Sequence, residues 1–508
     1  MILNILFLLL AIAPFAAAAE TPCEKLKLIS LAGATITSAE SISAGPFRPQ
    51  DIPDGLPRPV FDNLRSALSR MQLPAYCRVA AVLRPSQDSH IEMAVWMPAS
   101  DWNGKLEVIG NGGWAGHINF PEMAFALQEG YATSSTDTGH KGDNAAFAPG
   151  HPEKVVDFAY RAVHDTTVKS KTILAAYYSR SQRLSFWNGC SGGGRQGLMA
   201  AQRYPEDFDG IIAGAPANNK IHMNAWQMAL QTAIDRNPAS AVPTAKIALL
   251  SKAVLATCDA LDGIKDGLLA DPLQCRFDPA TLLCRGSDAD DCLTASQVEA
   301  VRMAYAPAKK RTGQVIFPGL PPGSELGWQM LAGNGPLELS LGTFRSVLHE
   351  DAKWDWRTFD LDRDTSLADE KFGYMDAIAP DLTAFKARGG KLLMYHGWND
   401  PMISAQNSID YYSSVLAKMG RDQSAWLRLF MVPGMGHCRG GPGPNQFNAL
   451  GALERWREGG VAPDQMIAVH VTDNRVDMTR PLCPYPQVAA YKGVGSTNDA
   501  ASFVCKAP

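Results

Sequence analysis

The stretch Gly189-Cys190-Ser191-Gly192-Gly193 constrains this chain more than any other. It has the form G-x-S-x-G. It follows the apolar run 184–187 and precedes 195–204, a segment of good helix formers. A serine on so tight a strand-to-helix turn needs small neighbours, hence the glycines. Such a serine stands exposed above a sheet, and the helix N-terminus beneath it favours developing negative charge. The pattern predicts a nucleophile. A plain glycine-rich turn is the alternative, and the partners described below weigh against it.

The surrounding sequence supplies the sheet. Residues 90–97 and 106–109 read as strands, the second ending in the glycine-rich loop 110–113. Helical spacing runs over 155–178, a strand over 184–187, a helix over 195–204 and a strand over 210–214. This alternation predicts a mostly parallel sheet with helices on both faces. From about 218 to 379 the pattern degrades, with cysteines, prolines, glycines and tryptophans clustered. Regular runs return at 391–396 and 427–432. The expected fold class is α/β, an α/β-hydrolase fold with a large inserted lid domain. Its parts are a signal peptide at 1–19, a catalytic domain split between 20–217 and 380–508, and the lid at 218–379.

Size and charge fit that reading. A chain of 508 residues exceeds one ordinary core. Hydrophobic residues at 46% against 19% charged make it globular, and a net charge of −4 without a basic patch argues against a nucleic-acid partner. Residues 2–15 are apolar except Asn4 and Pro14, and small residues follow to Ala19. That is a signal peptide cleaved after Ala19, shorter than the ~20 apolar residues of a spanning anchor, although it lacks the usual basic start. The mature chain is then expected to be secreted or periplasmic, with no membrane contact after cleavage.

Ten cysteines in an exported chain argue for disulfides. Position suggests Cys258 with Cys275, Cys284 with Cys292, Cys483 with Cys505, and Cys23 with Cys77. Cys190 and Cys438 remain. Spacing alone does not fix the connectivity. A zinc site is the rival, and no CxxC pair supports it.

A serine nucleophile needs a base and an orienting acid, which this fold supplies in the chain order Ser, acid, His. Asp400 follows the strand 391–396, where the acid belongs. His437 lies in the loop after strand 427–432, where the base belongs. His396 precedes Asp400, breaks the order and reads as a loop-packing residue. Asp381 and Asp410 are the weaker alternatives for the acid. Cys190 flanks Ser191 and Cys438 flanks His437, so a bridge between them would clamp base to nucleophile. The oxyanion hole needs backbone donors: the Gly192 N–H, and one from loop 110–113, with Gly113 preferred to Gly112.

These residues resemble the tannase and feruloyl esterase family, whose CS-D-HC motif matches Cys190-Ser191, Asp400 and His437-Cys438. Residues 136–140, 157–164, 201–210 and 213–216 resemble it too, and the likeness runs from about Cys23 to Cys505. The resemblance implies hydrolysis of esters of aromatic acids, feruloyl esterase-like, by a Ser-His-Asp acyl-enzyme route without an organic cofactor. Gallate esters and mono(2-hydroxyethyl) terephthalate are alternative substrates within the family. It also implies a structural Ca2+ in the lid. Asp259, Asp262 and Asp266 would be side-chain ligands, and Ile264 and Leu268 would give carbonyls. Three carboxylates in a short glycine-containing loop suit a hard cation, though no Glu closes the loop as in an EF-hand, and a metal-free Asp-Gly turn is the other reading.

The expected partner is a small aromatic ester, free or attached to plant cell-wall polysaccharide. Some of Trp226, Trp328, Phe344, Trp354, Trp356 and Tyr374, in or near the insertion, are candidates to stack on its ring, although aromatic residues in a lid more often simply form its core. A secreted serine peptidase and a non-catalytic calcium-binding protein are the rivals from other classes.

Overall fold

The computed structural model of the protein describes residues 21–47 and 70–507; the expected signal peptide, 1–19, lies outside them. Nine strands share one sheet: β1 (Ala34–Ile42), β2 (Tyr76–Leu83), β3 (Ile91–Pro98), β4 (Lys105–Ile109), β5 (Ala132–Thr136), β6 (Leu184–Cys190), β7 (Gly210–Gly214), β8 (Lys391–Gly397) and β9 (Leu427–Val432). Their order is β1-β2-β3-β5-β4-β6-β7-β8-β9. From β5 to β9 all neighbours run parallel, and β1, β2 and β3 add an antiparallel edge. The architecture is that of an α/β-hydrolase.

The parallel strands are apolar on both faces because helices cover both. On one side α2 (Ala162–Tyr178), α3 (Gly192–Arg203) and α5 (Ala405–Met419) bring Leu174, Leu198 and Ile409 against Val108, Ile211 and Met394. On the other, α1 (Phe120–Gln128) packs Met123 and Leu127 against Trp96 and Ile109. There α6 (Ala449–Gly459) sets Leu453 and Trp456 against Phe186, Ile212 and Phe430. Full burial of each such side chain contributes about 1.5–3 kcal/mol.

Strands β1, β2 and β5 carry no sequence signal of the kind used above. β5 is Ala-Thr-Ser-Ser-Thr, polar yet wholly buried. Two of its hydroxyls find carbonyls, Ser135 Oγ donating to Ile109 O at 3.2 Å and Thr136 Oγ1 to Glu92 O at 3.0 Å, while Thr133 Oγ1 and Ser134 Oγ are buried without a partner.

Between β7 and β8, adjacent in the sheet, the chain leaves and returns. The excursion begins with α4 (Lys220–Arg236) and has its own apolar cluster, with Trp226, Val301, Phe317, Trp328 and Phe344. It covers the segment expected at 218–379, and the strand ends set its limits at Gly214 and Lys391.

The structure joins Cys23 to Cys77, Cys190 to Cys438, Cys258 to Cys275, Cys284 to Cys292 and Cys483 to Cys505. Among the described residues no helix is long and apolar enough to cross a membrane.

Candidate active site

Ser191 stands between β6 and α3 with φ 63° and ψ −119°. This is a sparsely populated backbone for a residue with a side chain, and the surroundings hold it there. Its N–H donates to Gly214 O at 2.9 Å, and its carbonyl accepts from Ala217 N at 3.0 Å and from Arg195 N at 3.1 Å. The turn tolerates only glycine at Gly193, where a Cβ would lie 2.9 Å from Asn111 O.

Loop 110–113 comes equally close. The Gly113 nitrogen lies 3.1 Å from where a Cβ on Gly192 would sit. Neither the Gly113 nor the Gly192 N–H meets an acceptor among the described residues, so both donors are open to a developing oxyanion. The loop is pinned from three directions. Gln196 Oε1, one turn into α3, accepts from Asn111 N at 3.0 Å. Asn111 Nδ2 donates to Thr136 O at 2.8 Å. His140 Nε2 lies 2.7 Å from Trp114 O. This gives the 136–140 stretch a physical role: it supports the loop that faces Ser191.

Asp400 follows β8 and is fully buried, and His437 Nδ1 lies 2.6 Å from its Oδ2. Burial alone would raise the Asp400 carboxyl. The His437 charge and hydrogen bonds from His396 and His437 outweigh it and hold the group well below the usual carboxylate range. For His437, burial acts to lower the pKa, but Asp400 prevails and raises it above 6.5. The two loops are tied together: Asn399 N donates to Met435 O at 2.9 Å, and Trp398 N to Val432 O at 2.9 Å. The Cys190–Cys438 bridge, Cα–Cα 6.0 Å, adds a covalent tie from the His437 loop to the elbow.

Ser191 and His437 line the same cavity, and no hydrogen bond joins them in this structure. Such contacts often tighten only when substrate is bound. Asp381 and Asp410 are engaged elsewhere, with Thr383 N at 3.1 Å and Gln406 Nε2 at 2.8 Å.

This narrow cavity lies between the elbow and the insertion. Ala217, Met223, Leu339, Met402 and Ile403 give it an apolar wall. A second, wider and more open space also borders Ser191 and is edged by Asn119, Glu122, Asn188, Tyr395 and Arg439.

The aromatic residues expected to stack on a ring line neither space, which corrects that expectation. They pack on one another instead. Trp226 lies 6.1 Å from Phe317, Trp328 5.0 Å from Tyr305, and Phe344 4.8 Å from Phe359. Trp354 stacks on His349, Trp356 under Arg357, and Tyr374 meets Tyr160 edge-on.

Two residues that matter here had little or no signal. His396, read as loop packing, touches Asp400 Oδ2 at 3.1 Å. Lys220, at the start of α4, lines the cavity although only 4% exposed.

The loop expected to hold calcium lies outside both spaces. Asp259 Oδ1 accepts from Gly267 N at 3.1 Å, Asp262 Oδ1 from Ile264 N at 3.2 Å, and Asp266 Oδ1 from Leu268 N at 3.1 Å. Asp266 Oδ2 also takes buried Arg480 at 2.8 Å. The donors are the hard oxygens that calcium takes, and the Cys258–Cys275 bridge closes the loop. Among the described residues no three His, Cys, Asp or Glu side chains are already gathered round one point. The fit is therefore one of donor chemistry, with each carboxylate retaining capacity beyond its amide contact.

Comparison with known proteins shows the family. Residues 77–506 match the family model "Tannase and feruloyl esterase". An uncharacterized esterase of Xanthomonas campestris pv. campestris is 37% identical, over 96% of this chain and 92% of that protein. A probable feruloyl esterase B-2 of Aspergillus terreus is 34% identical, over 89% and 91%. The crystal structure of feruloyl esterase B from Aspergillus oryzae superimposes with a TM-score of 0.88 at 31% identity, covering 95% of this chain and 99% of that one. The chain belongs to the tannase and feruloyl esterase family and is a carboxylic ester hydrolase.

Proposed function

We propose that this esterase cleaves esters of phenolic acids, feruloyl esters foremost, through an acyl-enzyme on Ser191. The observation that carries the reading is the covalent tie between two loops. Cys190 beside the elbow serine is bridged to Cys438 beside the histidine that Asp400 orients. In this reading His437 takes the Ser191 proton as the oxygen attacks the ester carbonyl. Asp400 fixes the tautomer and stabilises the imidazolium. Gly192 and Gly113 N–H groups receive the oxyanion, and His437 then protonates the departing alcohol. Water enters by the same route to free the acid. The narrow apolar cavity suits the aromatic acyl group, and the wider polar space suits the alcohol, whether a small one or a sugar of cell-wall polysaccharide.

The setting is outside the cytoplasm, secreted or periplasmic. Five disulfides and the leader-like first residues support that. Calcium held by Asp259, Asp262, Asp266 and the carbonyls of Ile264 and Leu268 would brace the insertion and take no part in the chemistry.

The test is kcat/KM measured side by side on methyl ferulate, methyl gallate, a terephthalate monoester, an acetate and a long-chain fatty ester, with Ser191→Ala as control. Ferulate is expected to lead, and Ser191→Ala to retain only residual oxyanion-hole catalysis. Preference for fatty esters would overturn the acyl assignment. Wild-type turnover by Ser191→Ala would overturn the nucleophile. Amide hydrolysis matching ester hydrolysis would favour a peptidase.

A further inference from the structure

Lys220 is a buried cation without a carboxylate to pair with. Its residue is 4% exposed, and its ammonium makes no ion pair among the described residues. It sits 3.9 Å from the Trp114 ring centroid and 5.8 Å from that of Phe158. Two charged groups stand near it. Asp376 is turned to the backbone and accepts from Ile221 N at 3.1 Å. Arg195 is fully buried and spends its guanidinium on the carbonyls of Ala159, Met375 and Phe158, at 2.8, 3.0 and 3.2 Å. Lys220 and Arg195 thus both line the cavity, while Asp376 is near enough to act on Lys220 but is not part of the lining.

An unpaired buried ammonium is strongly unfavourable. A desolvated cation–π contact offsets part of that and uses one face of a group with three N–H donors. Asn224 and Gln227, also on the cavity wall, do not take those donors. Gln227 Nε2 donates to Met402 O and its Oε1 accepts from Asn224 Nδ2, while Asn224 Oδ1 accepts from Thr343 Oγ1. Donors left over at the wall of a cavity that opens on the nucleophile are a recognition element.

We infer that Lys220 binds an oxygen carried on the ring of the acyl group, a phenolic oxygen or a ring carboxylate, while Ser191 attacks the ester. The inference rests on the reading of this site as an aromatic-acid esterase and names the substituent that it selects. Burial, with Arg195 adding to it, pushes the Lys220 ammonium down to about 7, and a ring-borne anion would reverse that. The Trp114 ring under the ammonium holds it in place, so Lys220 pairs with the substrate at little further cost in its own freedom.

The experiment compares kcat/KM for methyl cinnamate, methyl 4-hydroxycinnamate and monomethyl terephthalate in the wild type and in Lys220→Met. The wild type is expected to favour at least one ring-oxygen ester over methyl cinnamate by roughly 10- to 100-fold, the worth of a hydrogen bond to a charged group. Which of the two leads tells a phenolic oxygen from a carboxylate. Lys220→Met is expected to collapse that ratio, the ring-oxygen esters losing far more than methyl cinnamate. Ratios kept in a folded Lys220→Met, or equal cleavage of all three esters by the wild type, overturn the role of Lys220 alone. Failure of the wild type on all three, with turnover of aliphatic esters, overturns the underlying reading. Should Lys220→Met not fold, competitive inhibition of the wild type decides. Benzamide binding as tightly as both 4-hydroxybenzamide and 4-carboxybenzamide would sink the proposal, and a tighter para-oxygen analogue supports it.

Discussion

His396 Nε2 lies 3.1 Å from Asp400 Oδ2, the same oxygen that His437 Nδ1 meets at 2.6 Å. The arrangement extends the acid–base pair by one residue. His396 is fully buried, its Nδ1 is 2.7 Å from Ser408 Oγ, and its Nε2 also reaches Ile403 O at 3.2 Å. A proton on Nε2 shared between Asp400 and Ile403 O, with the Ser408 hydroxyl at Nδ1, is consistent with all three contacts. Asp400 Oδ1 is held in turn by Met402 N at 2.9 Å and Ile403 N at 3.0 Å. Every lobe of the carboxylate thus has a donor, and its direction toward His437 is fixed.

His396 should therefore act as a positioning residue. His396→Leu removes the donor and is expected to lower kcat by about 10- to 100-fold, the scale of a misaligned reacting group. It should also move the acid limb of the pH profile upward, because a less stabilised Asp400 holds the His437 proton more strongly. His396→Gln, which keeps an N–H near Nε2, should recover much of both. A purely structural role would lower thermal stability and leave the pH limb unmoved.

The wild-type profile has its own expected shape. His437 must be neutral to accept a proton, and its pKa is raised above 6.5. Activity should fall as pH drops through a value above that of an ordinary histidine. Asp400, held low, stays ionised throughout that range. The stability signs run the other way. A histidine raised on folding contributes fully below 6.5 and loses its contribution as pH rises through the folded value. The Asp400 contribution is present above the ordinary carboxylate range and is lost as pH falls through the lowered folded value. Stability from this pair should peak on the acid side of the activity maximum. Coincident maxima in a melting series and a kcat/KM series would contradict the pairing.

The Cys190–Cys438 bridge offers a separate test. It closes a span of 248 residues between the elbow and the His437 loop. Replacing both cysteines by Ala should lower kcat by roughly 10-fold or more and affect KM less, since geometry needed in the transition state is loosened. Peptide mapping of the unreduced protein should find the two joined. Cys190 recovered as a free thiol, or kcat intact in the double variant, would remove the bridge from the mechanism.

How far the sequence speaks for itself depends on what constrains each residue. The elbow is legible because the turn excludes side chains at its neighbours: a Cβ at Gly193 would lie 2.9 Å from Asn111 O. Asp400 and His437 are legible because chain order and strand ends fix where such groups fall. Strand β5 is not, because a run of Thr and Ser has no apolar pattern, and the carbonyls on β4 and β3 that take Ser135 and Thr136 come from other segments of the chain. The aromatics of the insertion are ambiguous for a related reason. Tryptophan composition is the same whether the ring walls a pocket or fills a core, and Trp226, Trp328 and Phe344 fill the core of the insertion. Lys220 opens a helix after a proline-containing loop and reads as a surface lysine. Only the approach of Trp114, from the far side of the elbow, makes it a cation inside the cavity.

The calcium reading leads to a prediction about stability first and chemistry second. A metal that binds only the folded chain stabilises it by mass action, about 2.7 kcal/mol at a hundredfold excess over Kd. Excess chelator should therefore lower Tm. The carboxylate loop is also in contact with the base loop: a Cβ at Gly434, three residues before His437, would lie 2.6 Å from Leu268 Cδ2. Loosening the carboxylate loop should reach kcat only after the melting temperature has dropped. Asp259→Ala and Asp262→Ala should reproduce the effect of chelator and make the protein insensitive to it. Asp266→Ala is a poorer probe, because Asp266 also neutralises Arg480, both side chains being 3% exposed. Stranding that arginine would cost about 3–5 kcal/mol with or without a metal. Elemental analysis of the purified protein sets the stoichiometry, expected at one calcium per chain. A Tm unchanged in excess chelator, together with no bound metal, would leave Asp259, Asp262 and Asp266 as the hydrogen-bonding side chains of a metal-free turn.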